Sequence, residues 1–540
     1  MVEQDAGYAV DAVLAVSTAL PLLGGIVGWL LRGITTSACG TVGARCGAAA
    51  AGVAWLGAAV LAVQLVTSGP ARAGFADAGG NLVVGWVTDR VSVVLLLLVL
   101  GVGTVVQAFA RRYLAGDPRA AWFALCAGLV ITASAGLVTS ATLVTLAVCW
   151  TAAGVGLCGL LGTYSRLPAA RVGVARTAWT FLVGDLALWA AVVVATRTWG
   201  TLELRDLGPT RVQGHPVLLG WVVGAVVVAA ITRSAQVPAH RWLPATLAAP
   251  TPASALLHAG VVNAGGILLV KLGGLLSAVP AAGWLAFAIG AVTAVWGTAL
   301  MLTKPDVKGA LAHSTMGQMG FMVMACGLGL YALAVFHLVA HGMYKATLFL
   351  ASGTAIHQHR VRAGAPRTGA APRAAGVAAV LLAPGLALGL GVALLPIPAG
   401  HDAASEVLLL FAWASAAAAG WGWVRRHPTT AGVALTCVAS GAAALVYLVW
   451  VRTVTEFLAP ALPVVDPLAG ALWLPVALAL TLTLATLLWQ RPPDGALTSL
   501  RDGFYVAVLR AGHVHSRPRR PVTGRPGSPQ LVSTPIGART

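Results

Sequence analysis

Charge is what this chain has least of. Only 9% of its 540 residues are Asp, Glu, Lys or Arg, against 58% apolar, and the mean hydropathy is +0.86. That balance excludes a soluble globular protein and fits a polytopic helical membrane protein. Lysine is scarcer still: Lys271, Lys304, Lys308 and Lys345 are the only four, beside 30 arginines. The seven cysteines (Cys39, Cys46, Cys126, Cys149, Cys158, Cys326 and Cys437) are scattered in or beside apolar runs and form no C-x-x-C pair, so they do not read as disulfides or metal ligands, and no C-x-x-C-H haem site appears. They read as small buried residues. There is no Walker A loop. Gly154-Val-Gly-Leu-Cys-Gly159 spells G-x-G-x-x-G, but no strand–turn–helix surrounds it, so its glycines read as places of close helix packing. His357 and His359 read as solvated loop histidines rather than a metal pair. No catalytic set and no cofactor site are expected on this chain.

What the sequence does have is apolar runs near the ~20 residues that cross a bilayer. They fall near 9–31, 47–67, 91–109, 120–138, 140–162, 178–196, 216–236, 252–270, 283–302, 310–328, 331–352, 375–397, 404–424, 431–451 and 468–489. The expected fold is an all-α polytopic membrane protein of about fifteen helices, within a range of 13–16. With the N terminus outside, 25 of the 34 basic residues fall in cytoplasmic segments, seven fall outside, and Arg233 and Lys345 lie within the membrane. That is the positive-inside asymmetry, so the net charge of +18 points to topology and not to nucleic acid. The acidic start, with Glu3 and Asp5, lacks the basic region of a cleaved signal, and the first helix is expected to stay. The C terminus is placed in the cytoplasm: 497–514 as a short surface helix, and the residues from about 517 as a disordered tail rich in Pro, Arg, Ser and Gly.

The densest polar signal lies inside the apolar run 331–353. His337, His341 and Lys345 recur at i, i+4 and i+8, so they line one face of a helix. An ionised Lys at the centre of a membrane helix costs roughly 2.5–3.5 kcal/mol on insertion scales, which makes it a functional-site hypothesis. A desolvated Lys can release its proton near neutral pH, whereas Arg effectively cannot. A proton or cation path along this face is weighed against a snorkelling or structurally paired Lys345.

A second signal is the segment from Ile231 to His258. Pro238, Pro244, Pro250 and Pro252 forbid one continuous helix there and leave carbonyls near Arg233 and Gln236 without helical partners. At membrane depth such a break is tolerated where it is buried in protein or lines a wet cavity. His240, Arg241 and Trp242 read as interfacial anchors. Arg233 and His258 fall in apolar runs and join the candidate path. Asp185 is a third buried charge and a candidate partner for Arg233, with a structural pairing and a place in the path equally open. His313 opens the helix that follows Lys308, and a relay role and N-terminal capping both fit it.

Three blocks carry a family resemblance: Pro250-Thr-Pro-Ala-Ser-Ala-Leu-Leu-His-Ala259, Lys304-Pro-Asp-Val-Lys-Gly-Ala-Leu-Ala-His-Ser-Thr-Met-Gly-Gln-Met-Gly320 and Phe336-His-Leu-Val-Ala-His-Gly-Met-Tyr-Lys-Ala346. Over about 89–353 the chain resembles the large antiporter-like subunits of respiratory complex I and the Mrp cation/proton antiporters. The resemblance implies two inverted five-helix repeats with broken helices, near 120–270 and 283–424. Helices of 1–119 would precede them, and helices of 425–489 and a cytoplasmic tail of 490–540 would follow. Within the family, Ala110-Arg-Arg-Tyr-Leu-Ala-Gly-Asp-Pro-Arg119, Ala239-His-Arg-Trp-Leu-Pro244 and His258-Ala-Gly-Val-Val-Asn-Ala-Gly-Gly266 resemble in particular the membrane subunits of inorganic-carbon accumulation systems.

The chain also departs from the complex I pattern. Trp150-Thr151 stands where those subunits carry Trp-Glu, Arg233 stands where they carry a Lys, and 375–397 holds no ionisable residue where they carry a Lys or Glu. The chain is also expected to stop too early for their long lateral helix. The resemblance implies a cation-conducting, proton-conducting subunit that is not an enzyme by itself. Its site residues would be Lys345, His341, His337, His258, Arg233, Asp185, His313 and Lys308. Its expected partners are protons or sodium ions, membrane lipid and a large peripheral zinc-containing DabA-like subunit that would hold the zinc and the CO2/bicarbonate chemistry. The expected location is a bacterial-type inner membrane. The alternative is a complex I subunit L-like protein, part of an NADH:quinone oxidoreductase translocase, or an Mrp-type antiporter subunit.

Overall fold

A computed structural model describes residues 2–31, 39–77, 82–200, 203–208, 212, 214–354, 374–394, 402–424, 427, 429–463 and 497–512. The described residues are overwhelmingly helical, as the sequence requires. The helices are α1 (Val2–Leu30), α2 (Cys39–Ser68), α3 (Arg90–Tyr113), α4 (Ala120–Thr139), α5 (Leu143–Leu161), α6 (Pro168–Trp199), α7 (Pro216–Arg233), α8 (Thr251–Ala259), α9 (Ala264–Lys271), α10 (Gly273–Ser277), α11 (Pro280–Leu302), α12 (Val307–Gly327), α13 (Tyr331–Ala351), α14 (Ala374–Leu394), α15 (Asp402–Val424), α16 (Thr430–Leu458) and α17 (Leu497–Gly512).

Eleven spans among the described residues are long and apolar enough to cross a membrane, so the chain is a multi-pass membrane protein. Among the described residues these eleven leave the expected count of about fifteen unconfirmed. Two expected spans, 375–397 and 404–424, form helices whose apolar parts are shorter, Leu381–Leu394 and Leu408–Val424. The expected span 310–328 forms α12, which is 21 residues long but carries Lys308, His313, Ser314, Thr315 and Gln318 and is not among the eleven. The span 468–489, the loop with His357 and His359, and the tail beyond 512 lie outside the described residues.

Local chemistry explains the helix ends. Asp89 caps α3 by accepting from the Ser92 amide at 2.7 Å, Thr142 caps α5 through the Thr145 amide at 3.2 Å, and Asp306 caps α12 through the Gly309 amide. His313 therefore does not cap its helix, correcting that reading, because α12 begins a turn and a half earlier. α6 has Pro168 in its first turn and stops at Gly200, whose φ of 67° is the left-handed conformation that glycine adopts without a Cβ penalty.

Among the described residues, one short hairpin interrupts the helices. Strands β1 (Ala71–Ala76) and β2 (Leu82–Thr88) pair antiparallel, a feature absent from the sequence reading. The hairpin sits over the α4–α5 turn, where the Gly85 amide donates to Thr145 Oγ1 at 2.9 Å and Thr142 Oγ1 donates to the Val83 carbonyl at 2.9 Å.

The expected break after α7 is present. Between Arg233 and Thr251 the backbone runs through short 3-10 turns at Ala239–Trp242 and Pro244–Thr246, as the prolines demand. Trp242 is not an interfacial anchor: it is 1% exposed, donates to the Thr232 carbonyl at 2.9 Å and packs edge-on against Phe181. The expected continuous helix 252–270 is itself broken, since α8 ends at Ala259 and α9 starts at Ala264. This crossing is also the most enclosed of the eleven, 94% buried, against 22% for the span in α16. Non-helical backbone at membrane depth is thus shielded from lipid.

Glycines set the position of α12. Gly283, Gly290 and Gly297 of α11 lie at seven-residue intervals and meet the backbones of Gly327, Gly320 and Gly317 of α12 so closely that a Cβ would reach main-chain atoms at 2.5–2.8 Å. Small residues let membrane helices approach in this way. With its glycine face on α11, α12 presents its polar face to α13. A satellite core of Leu388, Ala412, Ala444 and Leu448 joins α14, α15 and α16, and α17 packs against α11.

Candidate functional site

The two faces form a registered pair. α12 and α13 run antiparallel, so Ser314, Gln318 and Phe321 stand opposite Lys345, His341 and His337 in turn. Lys345, wholly buried, donates from Nζ to Ser314 Oγ at 2.9 Å and to the Leu311 carbonyl at 3.4 Å. His341, 3% exposed, places Nδ1 2.7 Å from Gln318 Oε1. His337 stacks on His341 with ring centres 5.7 Å apart and meets the Phe321 ring edge-on at 5.1 Å.

The other nitrogen of His341, Nε2, lies 3.2 Å from the His258 carbonyl. That carbonyl is available because α8 stops one residue later and the amide that would donate to it in a continuous helix is displaced. Two neighbouring carbonyls freed by the same break are also met by side chains. Asn263 Nδ2 donates to the Ala259 carbonyl at 2.8 Å, and Ser234 Oγ donates to the Val262 carbonyl at 2.8 Å. Satisfying such carbonyls from within the protein is what lets a broken helix persist in a bilayer. The His258 ring lies flat on Phe349 at 4.3 Å, and its Nδ1 has no hydrogen-bond partner; the same holds for His337 Nε2.

The first turns of α12 lead toward this cluster. Lys308 Nζ donates to the Ala249 carbonyl at 3.4 Å and lines a cavity of about 480 Å³ with Tyr113, Thr251, Asp306 and Leu350. His313 donates from Nδ1 to the Gly309 carbonyl at 2.8 Å, which fixes its ring within its own helix. Positions 308, 311, 314 and 318 thus follow one side of α12 from the cavity to His341.

A second centre surrounds Arg233. Its guanidinium is 1% exposed and pairs with Asp185, Nη2 to Oδ1, at 2.7 Å. It also lies between two aromatic rings, 4.0 Å from the centre of Phe181 and 4.5 Å from that of Trp150, a cation–π arrangement on both faces. Gly154 of α5 faces Nη1 and Nη2, where a Cβ would stand 3.1–3.2 Å away. Thr151 does not reach this pair; its hydroxyl accepts from Trp189 Nε1 at 3.2 Å. Ser234, the next residue after Arg233, ties the centre to the broken α8–α9 crossing.

The structure therefore gathers Lys345, His341, His337 and His258 in one cluster and Arg233 with Asp185 in another, and it sets Lys308 on the approach along α12, while His313 stays bound within its own helix. The sequence reading did not single out Ser314, Gln318, Asn263 or Phe181, and it named Trp150 only as the neighbour of Thr151. For the first two a signal existed: Ser314 and Gln318 repeat the i, i+4 spacing of the row they face. Nothing in the sequence marked the aromatic pair around Arg233.

A family model described as "NADH:quinone oxidoreductase/Mrp antiporter, TM" matches residues 140–419, more than half of the chain, and one described as "NADH-Ubiquinone oxidoreductase (complex I), chain 5 N-terminus" matches 76–124. The chain is 39% identical over 289 residues to the probable inorganic carbon transporter subunit DabB1 of Halothiobacillus neapolitanus, covering 52% of this chain and 51% of that protein. It is 35% identical over 350 residues to NADH-quinone oxidoreductase subunit L of Mycobacterium tuberculosis, covering 63% and 55%. The matched region thus spans about half the length of these relatives. The fold is similar to that of a chain in the Mrp complex from Dietzia sp. DQ12-45-1b, with a TM-score of 0.63, 24% identity, and 95% of this chain and 60% of that chain covered.

Proposed function

Since the chain belongs to the NADH:quinone oxidoreductase/Mrp antiporter transmembrane family, we propose that it is the cation-conducting, and specifically proton-conducting, membrane subunit of an energy-coupled inorganic-carbon accumulation complex. The observation that carries this reading is the α12–α13 pair. It buries a lysine with uncharged hydrogen-bond partners one helical turn from a stacked pair of histidines, with Ser314 facing the lysine and Gln318 facing His341. A lysine in that setting can exist charged or neutral, and buried ionisable rows of this kind mark proton relays in membrane proteins. The unpartnered ring nitrogens of His258 and His337 extend the row on both sides of His341. Lys308 and its cavity form one mouth of the path.

The likeness to DabB1, a probable inorganic carbon transporter subunit by name, supports the carbon assignment. In this proposal the N terminus faces outward, the C terminus lies in the cytoplasm, and influx drives a large peripheral zinc-containing, DabA-like partner that carries out the hydration of CO2. Thr151, bound to Trp189, and the absence of an ionisable residue from α14 set the chain apart from a complete complex I relay.

Co-expression with the adjacent large subunit is expected to restore growth of a carbonic-anhydrase-deficient host in air. Rescue by this chain alone, or no rescue by the pair, would count against the carbon assignment.

A further inference from the structure

His341 is placed so that one of its nitrogens has a fixed role and the other does not. Nε2 faces the His258 main-chain carbonyl at 3.2 Å, and a carbonyl can only accept, so Nε2 carries a proton whatever the charge of the ring. Nδ1 faces the Gln318 carboxamide at 2.7 Å. A carboxamide can accept through its oxygen or, turned by half a rotation about its last bond, donate through its nitrogen.

We propose that Gln318 is a positioning residue that governs the charge of His341. Its oxygen accepts from Nδ1–H when the ring is an imidazolium, and its NH2 donates to bare Nδ1 when the ring is neutral. Both states are then hydrogen-bonded with no movement of either helix. This assignment rests on the proton-conducting reading above and deepens it: the proton of His341 that comes and goes is the one on Nδ1. A buried imidazole locked to acceptors on both nitrogens would stay charged, and one facing an apolar side chain at Nδ1 would stay neutral.

Other groups act on His341 as well. The titratable groups that interact with it are His337 and Lys345 on α13 and His258 on α8. From α12 it meets Gln318, and α3 brings the apolar Leu98 to the neighbouring Gly342. From α16, Tyr447 packs on Phe336. The two protonation states also differ in bond strength, because a charge-assisted hydrogen bond is about twice as strong as a neutral one. Removing the carboxamide therefore disfavours the charged ring more than the neutral one, and replacing it with a carboxylate favours the charged ring.

The test is 15N NMR of the full-length, 15N-histidine-labelled protein in lipid nanodiscs, with the His341 signals identified by their loss in His341→Asn. At neutral pH the charged-to-neutral ratio at His341 is expected to rise about tenfold or more in Gln318→Glu, since a neighbouring carboxylate shifts such an equilibrium by about one to three pH units. It is expected to fall in Gln318→Met. Should the Glu variant not be recovered folded, the fall in Gln318→Met decides alone. A side chain that merely fills space would not move the ratio in opposite directions, and an unchanged ratio in the recovered variants overturns the assignment. Proton flux into liposomes is measured in parallel. Absence of flux in the unsubstituted protein would refute the proton-conducting reading, while the NMR ratio would still decide the role of Gln318.

Discussion

Lys345 Nζ donates to Ser314 Oγ at 2.9 Å across the α12–α13 contact, and its other partner is the Leu311 carbonyl. Both partners are neutral. A buried lysine paired with a carboxylate would leave an uncompensated charge behind on losing its proton, whereas this one leaves a hydroxyl and a carbonyl. The arrangement lets the charge on Lys345 change without breaking an ion pair.

Lys345→Met should abolish coupled proton uptake while leaving membrane insertion intact, because insertion is easier by roughly 2.5–3.5 kcal/mol without the charge. Lys345→Arg should fail nearly as badly, since a guanidinium keeps the positive charge and cannot release its proton. Both variants are read by proton flux in liposomes at matched protein density. Flux at the unsubstituted level in Lys345→Arg would leave Lys345 only a static electrostatic role.

Arg233 and Asp185 should behave as a coupled pair. Deleting one member of a buried ion pair costs roughly 3–5 kcal/mol, because the other charge stays buried without compensation. Arg233→Ala and Asp185→Ala are each expected to lower thermal stability in detergent, and the double variant should be less damaged than the sum of the two. Strict additivity would show that the 2.7 Å contact carries no coupling. Arg233→Lys keeps the ion pair but loses the flat stacking between Phe181 and Trp150, so it should fall between the unsubstituted protein and Arg233→Ala.

The position of the whole polar row depends on how closely α11 and α12 approach. Gly290→Leu or Gly320→Val would place side-chain atoms where the opposing backbone already stands. Overpacking of a tight core typically costs about 1–3 kcal/mol, and here it would also push Ser314 and Gln318 off their partners. Both variants should lose flux together with thermal stability. Gly389→Ala, at a glycine with no neighbour within 4 Å of an added Cβ, is the control and should change neither. Full flux with Gly290→Leu would show that the α12 register does not matter.

Much of the architecture was legible in the chain, because in a bilayer length and apolarity nearly suffice to specify a helix. The eleven apolar spans, the break after Arg233 forced by Pro238, Pro244 and Pro250, and the row of His337, His341 and Lys345 on one face all follow from spacing and residue type. The sequence also singled out Asp185 as a partner for Arg233, since two scarce buried charges of opposite sign have few alternatives. The tertiary structure decided everything that depends on which face meets which. The second break at Gly260 carries no proline to announce it, and it frees the carbonyl that holds His341. Trp242 moved from an expected interface to the core because Phe181 and the Thr232 carbonyl, 61 and 10 residues away along the chain, come together around it. Ser314 and Gln318 acquire their roles only when the glycines of α11 and α12 fix the rotation of α12 against α13, since a hydroxyl or a carboxamide has no chemistry in such a row until something ionisable is placed opposite it.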